Sequence, residues 1–281
     1  MYVPQSYRSR PVFGALFSCL ISQSYASAAE LSTETIEVNN VQPDRLVGSY
    51  KQPEWSAHRL FVGSRTYVIP KNTIEAEFWV KAHTYKDGSP NDYLVQQEIE
   101  WGFADHLQFD FYVNEVNAIV DGERKTEFEG TQWELRWALD DWGVIPWNPT
   151  FYFEYHPRKD KPEKAEVRLL LAESIAPQWM ASANIGFESE LWGEDEEHEI
   201  VATLAVGTTA LSRAVSLGAE VKNEWVDVAA NRGHYQVETM VGPSVQWRPS
   251  AGVHIDLAPL FGVQKDAPRT ETWLIVGSDL N

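Results

Sequence analysis

From Thr73 onward the chain alternates apolar and polar residues at every second position, and it does so in twelve separate segments. Successive side chains of a β-strand point to opposite faces, so period two marks a strand with two unlike environments. Ile74, Ala76, Phe78, Val80 and Ala82 face away from Glu75, Glu77, Trp79, Lys81 and His83. Tyr93, Val95, Ile99 and Trp101 oppose Gln96, Glu98 and Glu100. Leu107, Phe109, Phe111 and Val113 oppose Gln108, Asp110 and Asn114, and Trp133, Leu135 and Trp137 oppose Glu134 and Arg136. Shorter runs follow around Phe151–Tyr155, Ala165–Leu171, Trp179–Phe187, Ile200–Val206, Val215–Val221, Tyr235–Val241 and Val253–Leu257. The last, Glu271 to Gly277, sets Trp273 and Ile275 on the same face as Glu271. Each run spans about 9–14 residues, near the roughly 9–11 that a tilted strand needs to cross a bilayer.

The polar face decides between a soluble and a membrane fold. It carries Glu75, Glu77, Lys81, Glu98, Glu100, Asp110, Glu134, Arg136, Glu166, Arg168, Glu220, Lys222, Glu238, His254 and Asp256. A soluble sandwich or lipocalin-like barrel turns its apolar face inward. Placing the charged face there instead would be costly unless the interior is wet. An antiparallel transmembrane β-barrel of about 12 strands meets both demands, with apolar side chains on lipid and charges on a lumen. Connections alternate too. Those at Ala104-Asp105, Ile175-Ala176-Pro177, Ala210-Leu211 and Pro249-Ser250-Ala251 are tight. Those at 86–91, 117–125, 156–163, 193–198, 227–233 and 264–269 are longer and charged. Asp140 to Pro149 breaks the alternation, being long on the short-turn side.

Composition narrows the function. The 281 residues hold 23 Lys plus Arg against 41 Asp plus Glu, a formal charge of −18. That excess argues against nucleic-acid binding, which needs clustered cations to neutralise phosphates. Acid exceeds base on the lumen face as well, so an open lumen would favour cations or neutral solutes. A packed charge network that conducts little fits the same residues. His254 and Asp256 share a face, and His83 and His106 sit near strand ends, but no nucleophile-elbow motif accompanies them. The expectation is a non-enzyme without cofactor or resident metal. The acidic loop Asp195-Glu196-Glu197-His198 is read as solvated.

The N-terminus reads as an address. Arg8 and Arg10 precede an apolar run from Pro11 to Ile21, and Ala26-Ser27-Ala28 supplies a small-residue cleavage site. We place a secretory signal peptide at 1–28, a largely irregular leader at 29–72 and the barrel at 73–281. Cleavage would remove Cys19, the one cysteine, and with it any disulfide or thiolate site.

The segment Gln97-Glu98-Ile99-Glu100-Trp101-Gly102-Phe103, followed by Asp105-His106-Leu107-Gln108-Phe109, resembles the strand–turn–strand of the MetA-pathway phenol-degradation type of outer-membrane protein. Glu134-Leu135-Arg136-Trp137, Ala183-Asn184, Leu217-Gly218-Ala219-Glu220 and Gly242-Pro243-Ser244 are similar in the same order. The chain departs from such barrels in ending Ser278-Asp279-Leu280-Asn281 rather than on an aromatic residue. The resemblance implies a small barrel in the cell outer membrane, thought of as a passage for hydrophobic compounds, and it supplies no catalytic residue. Its partners would be outer-membrane lipid, lipopolysaccharide and the barrel-assembly machinery. The sequence thus supports a porin-like passive channel for small or hydrophobic solutes. Alternatives are a plugged structural or adhesive barrel, a barrel-embedded hydrolase, and a soluble periplasmic β-protein.

Overall fold

The computed structural model describes residues 45–120, 123–193, 196–265 and 267–280. The expected signal peptide, residues 29–44 of the leader, and Asp195 of the acidic loop lie outside them. Twelve antiparallel strands among the described residues form a barrel: β1 (Ile74–Thr84), β2 (Asp92–Ala104), β3 (Leu107–Val120), β4 (Glu123–Ala138), β5 (Thr150–His156) and β6 (Lys164–Ala176), then β7 (Trp179–Glu190), β8 (Glu197–Ser212), β9 (Val215–Val228), β10 (Gln236–Ser250), β11 (Val253–Gly262) and β12 (Thr270–Asp279). Each pairs with its chain neighbours, and β12 pairs with β1 to close the barrel. Closure removes the sheet edge, as a strand structure in lipid requires.

The two faces separate as the alternation demands. Trp133 is 52% exposed and Ile185 56%, while their chain neighbours Glu134 and Asn184 are 0% and 5%. Trp101, Trp137, Phe151, Phe153, Phe187, Trp247 and Phe261 also point outward. An outside of aromatic and aliphatic side chains around a buried charged inside is inverted relative to a water-soluble protein. No helix among the described residues is long and apolar enough to cross a membrane.

Two connections differ from the sequence reading. Ala210 and Leu211, expected in a turn, lie in β8, and the turn falls at Arg213–Ala214. The ladder between β8 and β9 shifts register between Thr208 and Ser212, so an irregularity lets both strands run on past the expected break. The connection expected over 117–125 is mostly strand, since β3 and β4 pair out to Val120 opposite Glu123.

The irregular stretch before β1 is the main surprise. Its regular structure among the described residues is a two-residue ladder, Leu46–Val47 on Gln52–Pro53, and one 3-10 turn, Glu54–Ala57. Yet Tyr50, Trp55, Leu60, Phe61, Val62, Tyr67, Val68 and Ile69 are all buried. The stretch enters the lumen from the short-turn end, turns near Gly63, and returns to begin β1. It is a plug. The long Asp140–Pro149 connection now has a reason. Its Trp142 meets Trp55 and Tyr67 edge-on at 5.3 and 5.1 Å, and the Tyr67 hydroxyl donates to the Asp140 carbonyl at 2.6 Å.

Glycines make the wall thin where something must fit. Gly207 and Gly218 stand opposite each other on β8 and β9, and a Cβ on either would press on the Phe61 ring. A Cβ on Gly277 would run into the His254 imidazole. Gly277→Ala should therefore cost about 1–3 kcal/mol as overpacking. We expect a lower urea midpoint for the refolded variant, whereas Gly252→Ala, whose Cβ makes only ordinary contacts at 3.4 Å, should keep the wild-type value. Equal midpoints for all three proteins would show that the His254 packing is loose.

Candidate functional site

Strand register lines up carboxylates. Reading across the ladders, Asp279 stands opposite Glu75, Glu75 opposite Glu100, Glu100 opposite Asp110, and Asp110 opposite Glu134. The row continues from Glu134 to Glu154, Glu166, Glu188 and Glu199. It thus crosses from β12 through β1 to β8. Because the strands tilt, the row climbs from the short-turn end, at Asp279 and Glu75, to the long-loop end, at Glu188 and Glu199. Like charges directly opposed destabilise a sheet, so such a row needs cations between its members.

Wall and plug share that task. Arg59 of the plug donates from Nε to both Glu77 oxygens at 2.9 and 3.1 Å, and from Nη2 to Glu98 at 3.3 Å and Glu100 at 2.9 Å. Its guanidinium also lies over the Trp79 ring, 4.1 Å from the centroid. Arg65 of the plug donates to the Tyr112 hydroxyl at 3.0 Å and stands 3.8 Å from Glu134. Among wall residues, Arg136 pairs with Asp110 at 3.2 Å and with Glu134, and Arg168 pairs with Glu166. Higher up, Lys164 reaches Glu188 at 2.5 Å. Lys222 bridges Glu224 at 2.9 Å and Glu271 at 2.8 Å. His254 touches Asp256 through Nδ1 and lies 2.8 Å from Glu75 and 3.2 Å from Glu77 through Nε2.

Beyond its short ladder at Leu46–Val47 and Gln52–Pro53, the plug backbone has no strand partner among the described residues, so its polar groups need side chains from the wall. Glu220 accepts from the amides of Val62 at 3.1 Å and Gly63 at 2.8 Å. Asn184 takes the Arg65 amide at 2.8 Å and donates back to its carbonyl at 2.9 Å. Ser64 donates to Thr203 at 2.8 Å, the Ile69 amide donates to Gln108 at 2.8 Å, and Gln246 donates to the Arg59 carbonyl. At the mouth, Asp105 accepts from Ser49 and Lys71, both at 3.2 Å, and the Lys71 ammonium holds its carboxyl below the usual range. Burial pushes the Tyr50 phenol up to about 12, and its hydroxyl donates to the Ile69 carbonyl at 2.8 Å.

Above the plug lies a cavity of about 320 Å³, floored by Val62, Gly63 and Arg65 and walled by Gln96, Tyr112, Lys164, Arg168, Glu199, Lys222 and Glu224 among others. Within the plugged half a void of about 10 Å³ lies around Arg59, Tyr67 and Arg136.

Of the residues read from sequence as lumen-lining, the structure buries Glu75, Glu77, Glu98, Glu100, Asp110, Glu134, Arg136, Glu166, Glu220, Lys222, His254 and Asp256 against plug or wall. Lys81, Arg168 and Glu238 are half-buried higher in the lumen. His83 sits between Asp92 at 2.8 Å and Glu271 at 3.0 Å, and His106 meets Asp141 at 2.7 Å. Sequence reasoning missed Arg59 and Arg65. Their signal was faint: two cations among apolar residues of neither strand nor helix period, just ahead of an acid-faced barrel.

No protein-family model matches the chain, and no curated protein sequence matches it. Solved structures do. An outer-membrane channel from Pseudomonas putida F1 is 10% identical, with a TM-score of 0.56 over 79% of this chain and 100% of that one. The NanC porin is 10% identical, with a TM-score of 0.52 over 73% of this chain and 97% of that one. At this identity the likeness establishes the fold, that of an outer-membrane β-barrel.

Arg59 is the residue on which plug seating should depend. Arg59→Met removes the cation that Glu77, Glu98 and Glu100 share, leaving buried carboxylates under-compensated at a loss of about 3–5 kcal/mol. Limited proteolysis should then cut between residues 45 and 72 while the barrel stays resistant, with Arg59→Lys intermediate. Wild-type resistance in Arg59→Met would contradict the pairing described here.

Proposed function

We propose that the chain is an outer-membrane channel for small solutes, biased toward cations, whose plug gates the lumen. One observation carries this reading. The acid row is continuous along the wall from the cavity down behind the plug, and the plug is fixed to the wall by side chains rather than by strand pairing. It can be displaced without unzipping a ladder, and what it uncovers is a passage already lined with carboxylates.

Several things support the reading. The barrel fold is shared with an outer-membrane channel and a porin. The ordered motifs from Gln97 to Ser244 resemble the phenol-degradation type of outer-membrane protein, which we take as the family. In that setting the apolar outer face contacts lipid, the short-turn end faces the periplasm, and the cavity opens to the outside. Cargo that is apolar overall would have to cross a wall rich in charge, so we favour small charged or polar solutes over hydrophobic ones.

The density of plug contacts favours a second reading, a barrel held shut for a structural role. A cross-link separates the two. The Ser64 and Thr203 hydroxyls are 2.8 Å apart. In a Ser64→Cys/Thr203→Cys protein, oxidation should silence conductance in a planar bilayer, and reduction should restore openings with a cation-favouring reversal potential. Openings that are indifferent to the redox state would exclude the plug as gate. Silence in both states, from folded protein, would establish the structural reading.

A further inference from the structure

Among the described residues, the acid clusters of the lumen each hold a basic side chain at hydrogen-bonding distance, with one exception. Glu77, Glu98 and Glu100 surround Arg59, and Glu75 and Glu77 share His254. The exception joins His58 of the plug, Glu75 at the start of β1 and Asp279 at the end of β12. Their atoms His58 Nδ1, Glu75 Oε2 and Asp279 Oδ1 lie within 4.8 Å of one another. All three are buried, and none has a hydrogen-bond partner among the described residues. The Glu75 side chain is only 1% exposed. Three buried polar atoms that converge without bonding one another are a costly arrangement, unless something sits among them.

The spacing says what. His58 Nδ1 is 3.6 Å from Glu75 Oε2 and 3.7 Å from Asp279 Oδ1, too far for hydrogen bonds. Ligands on metal bonds of about 2.0–2.2 Å stand about 3.3–3.6 Å apart in a tetrahedron. We propose that His58, Glu75 and Asp279 form a binding site for one divalent transition-metal ion of the Zn²⁺ type. One imidazole and two carboxylates suit Zn²⁺, Co²⁺ or Mn²⁺, whereas Ca²⁺ would require six to eight oxygens. Three protein ligands leave a position for water.

The surroundings are those of a supported ligand. His254 Nε2 lies 2.8 Å from the other Glu75 oxygen, and its Nδ1 touches Asp256, so the Glu75 carboxylate is oriented with Oε2 free. Asp279 stands directly opposite Glu75 across the closing ladder, and its amide is anchored to the Gly252 carbonyl at 2.8 Å. A metal here would join the first strand, the last strand and the plug at one point. The site stands on its own geometry, and its test reads metal binding without reference to conduction.

The experiment uses the folded full chain, stripped with a chelator and titrated with Zn²⁺ against a chromophoric competitor. Wild type should take up one tight equivalent. His58→Ala and Asp279→Asn should each lose at least about 10-fold in affinity, the lower end of what loss of a supporting residue alone costs, while His234→Ala should not. Co²⁺ in place of Zn²⁺ should give visible absorption bands in wild type and weak ones in the two variants. Equal affinity in wild type, His58→Ala and Asp279→Asn would overturn the site and leave His58 as a simple ion-pair partner of the two acids. Should a variant fail to fold, the wild-type Co²⁺ titration decides alone: no bound equivalent and no bands would end the proposal.

Discussion

Carboxylates held in register are the constraint around which this barrel is built. Once Glu75, Glu100, Asp110 and Glu134 are placed on strands in this pairing, they face each other across successive ladders. The ladder geometry brings their side chains to neighbouring positions on one face, and nothing in the ladder relieves the repulsion. Relief must come from the lumen. Arg136 and His254 supply part of it from the wall, and Arg59 and Arg65 add more from a segment that is not part of the barrel. Arg suits the role, since a planar guanidinium can serve several carboxylates at once. The plug is therefore a counter-charge as well as a stopper, which explains how a segment without regular structure is held so tightly.

This arrangement also shows what a sequence reveals of such a protein. The strands were legible because lipid on one side and water or charge on the other impose period two, and Ile74 to Ala82 or Phe109 to Val113 could hardly follow another rule. The inward face was legible for the same reason. The plug was not. Residues 54–70 bury Trp55, Phe61 and Tyr67 with no repeating period, because the lumen that receives them is irregular. Their backbone partners, Gln108, Asn184, Glu220 and Gln246, look in sequence like any other inward polar residue. The Asp140–Pro149 connection was a visible anomaly, and its cause, Trp142 packed on the plug, is a contact at long sequence range. The turn at 213–214 was misplaced because a local irregularity lets β8 outrun its own pattern.

The lumen is thereby divided. The long-loop half is open, with mixed charge around a cavity of about 320 Å³. The short-turn half is filled by the plug, with a void there of about 10 Å³, roughly the size of one water. A fixed barrel with a side-chain-bound insert has the makings of a two-state element, because the insert can leave while every ladder stays intact. The cluster at His58, Glu75 and Asp279 lies where the insert meets the seam of the barrel, so occupancy there bears on the same equilibrium.

The most direct test of this view is hydrogen exchange of the refolded protein in lipid, resolved to peptides covering residues 54–70. The amides of Gly63, Arg65 and Ile69 are bonded to Glu220, Asn184 and Gln108, so this segment should be protected well beyond the long loops. That protection should vanish in Arg59→Met while the strands keep theirs. Exchange of residues 54–70 as fast as an open loop in the wild-type protein would contradict the central claim that this segment fills the lumen and balances its charge.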